Sequence, residues 1–378
     1  MEPSTILILI ALILFFQSFP YLTYPKILHN IKKKTYETFK EEELPPVSIV
    51  VPTYNEEHTI HKKLESLLGL DYPSYEIFVV DSASTDRTQE IVREFLGKLK
   101  TKKIIFLTEE QRRGKISAIN CAVEKASNNI VVVTDANACF DSSSLRELIK
   151  PLKDHSVYVT GALYETSSKN PMFSYFEKIF RSMENKLARL ESAADSTFAT
   201  GELFAFKKSI APLDEKAIVD DAEASVKARK MGYRAVITGA TVYEETPSML
   251  REFIAYKSNR AFHTLKILAR HKKMLFNPRY RTFGLLIFPS RKLIPMLSPF
   301  STAALLVLGI MLLATLQLKI FALIIVAVLI SIGAKNNKKI NLISQAIVYQ
   351  MIVQIALVLG WIKLFIHKKL YWEKVRKM

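Results

Sequence analysis

Three stretches of this chain carry almost no charge, and their lengths limit what it can fold into. Residues 5–16 read TILILIALILFF, residues 299–333 read PFSTAALLVLGIMLLATLQLKIFALIIVAVLISIG, and residues 341–362 read NLISQAIVYQMIVQIALVLGWI. Such runs exceed or approach the roughly 20 apolar residues that cross a bilayer as a helix. The second is too long for one helix, so a hairpin is expected near Gln317–Lys319. No basic segment precedes the first run, whereas Lys26 and Lys32–Lys34 follow it. That polarity predicts an uncleaved anchor over residues 1–25 rather than a signal peptide, with the next domain in the cytoplasm. Helices over 299–366 then return the chain to the membrane. The basic AKNNKKI near 334–340 belongs inside by the same rule. One further span would leave the basic tail, 367–378, outside; a re-entrant segment would keep it inside, and both arrangements stand. The expected localisation is an integral protein of the cytoplasmic (plasma) membrane.

Charge and cysteine content narrow the class further. The formal net charge is +17, and many of the basic residues flank apolar runs. Attraction to anionic lipid head groups accounts for this. No helix-turn-helix, zinc-finger or aromatic ribonucleoprotein pattern is present, so nucleic acid is not an expected partner. Cys121 and Cys139 alone give neither a disulfide framework nor a cysteine zinc site. His58 and His61 read as surface residues, because no His pair with an acidic partner occurs at ligand spacing. His263 follows Arg260 near the membrane side, where it can approach an acceptor.

Between 45 and 248 the pattern changes to short apolar runs alternating with amphipathic stretches. VSIVVP (47–52), EIFVV (76–80), KIIFL (103–107) and IVVVT (130–134) read as strands. The helices between them include one over STDRTQEIVREFLGKL, with Ser84 or Thr85 as its N-cap and Asp86 as a further capping residue. Apolar strands alternating with helices imply a mostly parallel sheet covered on both faces. Ligands bind such sheets beyond the carboxyl ends of the strands. Those ends carry PTYNEE, DSASTD and TDAN.

No glycine-rich phosphate cradle of either common kind follows a strand. Asp135 and Asn137 are two residues apart at the end of an extended segment, so their side chains project to one side. They either cap a turn, as Asp and Asn often do, or share a hard divalent cation that bridges a diphosphate.

Taken in order, these segments resemble the family 2 nucleotide-sugar glycosyltransferases, in particular the membrane-embedded branch of cellulose, chitin-oligosaccharide and hyaluronan synthases. VSIVVPTYNEE, VDSASTDRT, GKISAIN, VVVTDAN, TGELFAFKKS and DDAEASVKARKMGYRAV each match a motif of that family, and YEETPSMLREF stands where it has an E-x-x-P turn. The resemblance covers roughly 46–265. It implies a Rossmann-like α/β domain of glycosyltransferase A type, flanked by N- and C-terminal transmembrane helices.

The site residues it implies are as follows. Thr53, Tyr54, Glu56 and Asp81 would hold the nucleotide, Asp81 by accepting a base N–H. Lys115 would lie near the diphosphate, and Asp135 with Asn137 would place Mg²⁺ or Mn²⁺ against it. Asp221 would be the general base, supported by Asp220, and Glu202 with Arg260 would line the acceptor pocket. The donor would be a nucleotide sugar, most simply UDP-linked, and the acceptor a glycan or lipid-linked molecule. Two departures stand out. Asn137 replaces the family's second acid, and KSNRA (257–261) replaces its Q-x-x-R-W, which weakens the expectation of a long polymer. A solvated helix start at Asp220–Asp221, a solvated Lys115 and a core-packed Tyr54 are the plain alternatives. At the level of the whole chain, the alternatives are a catalytically silent binder and a transporter. The latter is disfavoured by spans without mid-membrane charges.

Past the domain, SMLREFIAYKSNRAFHTLKILARHKKML reads as an amphipathic helix along the cytoplasmic leaflet. FGLLIFPSRKLIPMLSPF, with Arg291, Lys292 and three prolines, reads as broken and interfacial. Residues 249–298 are thus expected at the membrane surface.

Overall fold

The computed structural model describes residues 2–99, 103–315 and 338–366. The hairpin expected near Gln317–Lys319, part of the basic 334–340 segment and the 367–378 tail lie outside the described residues. In chain order, α1 (Pro3–Leu22) and α2 (Tyr24–Asn30) lead into β1 (Val47–Thr53), α3 (Ile60–Leu68), β2 (Tyr75–Asp81), α4 (Thr88–Gly97), β3 (Ile104–Thr108), α5 (Lys115–Lys125), β4 (Ile130–Thr134) and α6 (Ser142–Ile149). Next come β5 (Val157–Ser167), α7 (Pro171–Ala194), β6 (Leu203–Lys207), α8 (Asp220–Lys230) and β7 (Arg234–Glu245), then α9 (Leu250–Arg270), α10 (Ile294–Thr315) and α11 (Lys338–Ile366).

The seven strands form one sheet in the order β3-β2-β1-β4-β6-β5-β7. β1 to β4 run parallel, β6 runs against both β4 and β5, and β7 lies parallel to β5. Both faces are buried, which explains the unbroken apolar strands. Ile49 and Val51 pack with Leu64 of α3 and Leu145 of α6, while Val50 packs on the other face with Ile119 of α5 and Ala224 of α8. Strand order reverses between β1 and β4, so a crevice opens beyond their carboxyl ends. A third apolar cluster joins Tyr24 and Leu28 of α2 to Leu187 of α7, Val226 of α8, Leu265 of α9 and Phe283–Phe288. It fastens the α/β domain to the apolar helices.

Three helices are long and apolar enough to cross a membrane: Pro3–Leu22, Phe283–Thr315 and Leu342–Ile366. The segment expected to break at Arg291 and its prolines instead runs unbroken, through π-helical turns over Phe283–Ile287 and Pro289–Leu293, into α10. Arg291 does not interrupt it because its charge is answered from the domain, by Glu184 at 2.5 Å and Glu191 at 2.9 Å. One face of α9, expected to lie on lipid, is covered by α11. Ser258, Ala261 and Phe262 are buried, and a Cβ on Gly360 would come within 2.6 Å of the Ala261 Cβ. The α4 helix begins at Thr88 rather than at Ser84 or Thr85. Those two residues are drawn into a loop-to-loop lock, and Asp86 takes a capping role by accepting from the Thr88 N–H at 3.0 Å.

Candidate active site

The loops after β1 and β2 hold each other rigid at the switch point. The Asn55 N–H donates to Ser84 Oγ at 2.9 Å, and Asn55 Oδ1 accepts from the Thr85 N–H at 2.9 Å. The Glu56 N–H donates to Thr88 Oγ1 at 2.7 Å. Asn55 and Ala83 accept left-handed φ values of 54° and 55° within this lock. It leaves Tyr54 half-buried at the rim of a cavity of about 1830 Å³, with the Arg112 guanidinium 3.8 Å over its ring. Tyr54 is therefore outside the core. Thr53 and Glu56 line the same cavity; the Thr53 hydroxyl donates to the Val80 carbonyl, and Glu56 accepts from Thr59 Oγ1 at 2.6 Å. Asp81 does not line it. Fully buried, its carboxylate accepts from Ser84 N–H, Ser84 Oγ and Gln89 Nε2, so it braces the loop instead of presenting a free acceptor to a base.

Lys115 stands at the centre. It opens α5 immediately after Gly114, whose φ of +105° is one that side chains rarely adopt. Its Nζ lies 2.6 Å from Asp135 Oδ1 and 2.9 Å from Asp220 Oδ2. Burial disfavours the charge, but the two carboxylates outweigh it and hold the ammonium well above the usual lysine range. A cation at a helix start calls for nearby anions, and here it has two. Next to Asp220, Asp221 is pushed up to about 7, first by burial and then by Asp220 and Glu202, with Lys292 and Lys115 opposing. The Asp221 carboxylate sits over Gly201, where a Cβ would come within 3.3 Å of it.

A second cluster lies on the side towards α9. Arg260 pairs with Glu202 and reaches Glu244 at 3.9 Å. Glu244 also accepts from the Tyr164 hydroxyl at 2.6 Å and from Asn137 Nδ2 at 2.8 Å. Burial raises the Glu202 carboxyl against the pull of Arg260. His263 lines the same cavity, and burial and then Arg260 drop it to about 4, so it is neutral at pH 7. His58 and His61 are exposed, as expected.

The donor set can be tested against the expected divalent ion. Asn137 directs its amide nitrogen to Glu244, which leaves the amide oxygen as its open donor. With an Asp135 oxygen, this gives two hard oxygen ligands of the kind Mg²⁺ and Mn²⁺ take. Among the described residues no group of three or more His, Cys, Asp or Glu is placed to hold an ion alone. The residues therefore fit an ion whose remaining ligands come from a bound diphosphate.

Residues 48–212 match glycosyl transferase family 2. The chain carries a family 2 glycosyltransferase domain. Over most of its length it is similar to the structure of the mannosyltransferase PcManGT from Pyrobaculum calidifontis in complex with GDP-Man and Mn²⁺. The TM-score is 0.74 at 26% identity, covering 96% of this chain and 100% of that one. The family 2 domain thus has the glycosyltransferase A-like fold, with a mostly parallel mixed sheet. The probable glycosyltransferase YdaM of Bacillus subtilis (strain 168) is 26% identical over 268 residues, 65% of this chain and 64% of that protein. A poly-beta-1,6-N-acetyl-D-glucosamine synthase of Staphylococcus epidermidis is 32% identical over 114 residues, 30% of this chain and 27% of that protein. The chain thus spans less than two thirds of either curated relative.

Lys115, Asp135, Asn137 and Glu202 of the family 2 domain line one cavity together with Asp220, Asp221 and Arg260, which follow it in the chain. Sequence reasoning missed four contributors. Arg112 had a signal in QRRGK, two basic residues ahead of the motif lysine. Glu244 sits in the YEETP turn, which the motif match marks by its position alone. Tyr164 is invisible without the fold, because β5 reaches the site through a sheet position and carries no motif. Lys63 reads as a solvated lysine, yet it is buried beneath the Asp135 loop, donating to Thr134 Oγ1 and the Ala138 carbonyl at 2.8 Å each.

Proposed function

We propose that this chain is an inverting, metal-dependent glycosyltransferase that moves a sugar from a nucleotide diphosphate donor to a membrane-associated glycan or lipid-linked acceptor. One observation carries the reading: Lys115 joins Asp135 and Asp220 at the switch point of the sheet, next to Asp221, whose carboxyl is pushed up to about 7. Tyr54 and Arg112 offer a ring and a guanidinium plane to the nucleotide base. Lys115 supplies positive charge where the diphosphate departs, an interaction that strengthens as charge develops. A divalent ion held through Asp135 and Asn137 would add Lewis-acid neutralisation of the same leaving group.

Asp221 takes the proton from the acceptor hydroxyl as its oxygen bonds to the anomeric carbon and the bond to the diphosphate breaks. Such general-base assistance is typically worth about 10²–10⁴-fold. Its ionisation near pH 7 suits that task. With one base and no covalent nucleophile, the displacement is single and the configuration inverts. A UDP sugar is the donor that the family resemblance implies, and the neighbour's GDP-Man makes guanosine diphosphate sugars the second class to compare. The three apolar helices and the basic residues following α1 support a plasma-membrane protein whose domain faces the cytoplasm.

The test is turnover of a panel of UDP and GDP sugars by purified protein in lipid with Mn²⁺, with Asp221→Asn as control. Label in lipid or glycan that requires one donor, metal and Asp221 is the expected result. Tight nucleotide binding without any transfer or hydrolysis would leave a silent binder instead.

A further inference from the structure

The cavity does not end at Asp221. Beyond it, the lining passes to Pro295 and Met296 of α10 and Val353 and Leu357 of α11, with Gln17 of α1 and Gln354 of α11 among them, an arm of mixed apolar and amide lining between the three apolar helices. At about 1830 Å³ the whole exceeds the roughly 300–1,000 Å³ that encloses a single small ligand. Where the carboxylate-lined chamber meets this arm stands Lys292. Its charge is felt at Asp221, and its Nζ lies 4.5 Å over the Phe198 ring. It makes no ion pair or hydrogen bond among the described residues. The contrast with its neighbour is direct, because Arg291 is matched by both Glu184 and Glu191. An ionisable side chain on an apolar helix, facing a cavity and lacking a partner, marks a ligand position. Desolvated, and with Asp221, Glu184 and Glu191 acting on it only through space, it has room for a directly bound anion.

Resting on the transferase reading above, we propose that Lys292 binds the phosphate of a lipid-phosphate-linked saccharide, whose hydrocarbon chain occupies the arm between α1, α10 and α11. A bare lipid phosphate offers the anion but needs no base, since its oxygen is already ionised. Asp221 beside Lys292 fits a sugar hydroxyl as nucleophile, carried on the same molecule as the anion. The neutral His263 and the Arg260–Glu202 pair then face the saccharide.

The test is binding, read by native mass spectrometry of the full chain in micelles. The probes are a prenyl diphosphate bearing one N-acetylhexosamine, the same prenyl chain as bare phosphate, and a neutral prenyl glycoside of the same sugar. The diphosphate-linked sugar is expected to bind about 10- to 100-fold more tightly than the neutral glycoside, the scale of one charge-assisted contact. Lys292→Met removes that preference, and Lys292→Arg restores most of it, which a merely structural loss would not permit. Equal binding of charged and neutral probes, or a preference that survives Lys292→Met, overturns the proposal. A bare phosphate that binds as well as the sugar-bearing probe overturns the saccharide part. Nucleotide-sugar turnover by the wild type without acceptor is scored separately. Phosphate-selective lipid binding without turnover sinks the transferase reading alone, and turnover without phosphate selectivity sinks the lipid site alone.

Discussion

Lys115 Nζ lies 2.6 Å from Asp135 Oδ1, so the carboxylate expected to hold a metal is also the one that pairs with an ammonium. Metal and lysine compete for the same oxygen until a diphosphate gives the lysine another anion to bind. Mn²⁺ should therefore bind weakly without nucleotide and far more tightly with nucleoside diphosphate. Lys115→Gln should narrow that gap by strengthening nucleotide-free Mn²⁺ binding, while donor turnover falls by about 10²-fold or more, the scale of removing one preorganised charge stabiliser. Titration of Mn²⁺ by electron paramagnetic resonance, with and without nucleotide, checks it.

Asp221 gives two linked pH predictions. Its carboxyl ionises near 7 in the folded chain, so kcat/KM should climb through that region and level off above it. For stability the sign is opposite. From about pH 4, where an unfolded aspartate ionises, up to about 7, the folded chain holds more protons, so stability falls as pH rises. Asp221→Asn cannot lose this proton. It should melt no higher than the wild type near pH 4 and clearly higher at pH 8, while being inactive at both. A constant melting-point gap across that range would remove Asp221 as the buried, proton-holding group.

Asn137 replaces an acid that the family motif leads one to expect, and the structure supplies a reason. Its amide donates to Glu244, so the missing charge has a neighbour that already carries one. Asn137→Asp should therefore lower activity and stability instead of tightening metal, since two carboxylates would face each other. Glu244→Gln in the same chain should recover much of the loss. A double-mutant cycle on melting temperature and donor KM reads the coupling.

Gly201 bears on the chemistry through space alone. A methyl there presses on the Asp221 carboxylate at 3.3 Å, a contact the aspartate must yield to. Gly201→Ala should cut kcat by at least about tenfold, as small misplacements of a reacting group do, with donor KM and melting temperature changed much less.

What could be read in advance follows the local chemistry. The four parallel strands are apolar runs and Asp135 follows directly on β4, while Lys115, Asp220 and Asp221 stand in motifs that the sequence displays, so the positions of all four could be read in advance. Asp81 misled because the family pattern identifies a residue type and not its orientation. Only the fold shows Ser84 and Gln89 occupying its oxygens. The helix starting at Phe283 misled for the converse reason. Arg291 looks like a break until Glu184 and Glu191, a hundred or more residues earlier in the chain, are seen to answer it. Long-range pairing of this kind leaves no periodic trace.

One buried carboxylate gathers three parts of the chain. Asp195 accepts from Lys34 Nζ at 2.6 Å, pairs with Arg229 at 3.2 Å and caps the Phe283 N–H at 3.2 Å. The segment after the first span, the α8 helix that bears Asp221, and the start of the second span are thereby pinned to one point. How deep that second span sits is governed by bilayer thickness, and Lys292 rides on it. Acyl-chain length is thereby kept out of the chemistry: a bilayer that is too thin or too thick cannot move Lys292 without carrying the Asp221 helix along with it. Turnover in nanodiscs of graded lipid length should stay nearly flat, and a sharp maximum would mean that the Asp195 pin does not hold the two elements together.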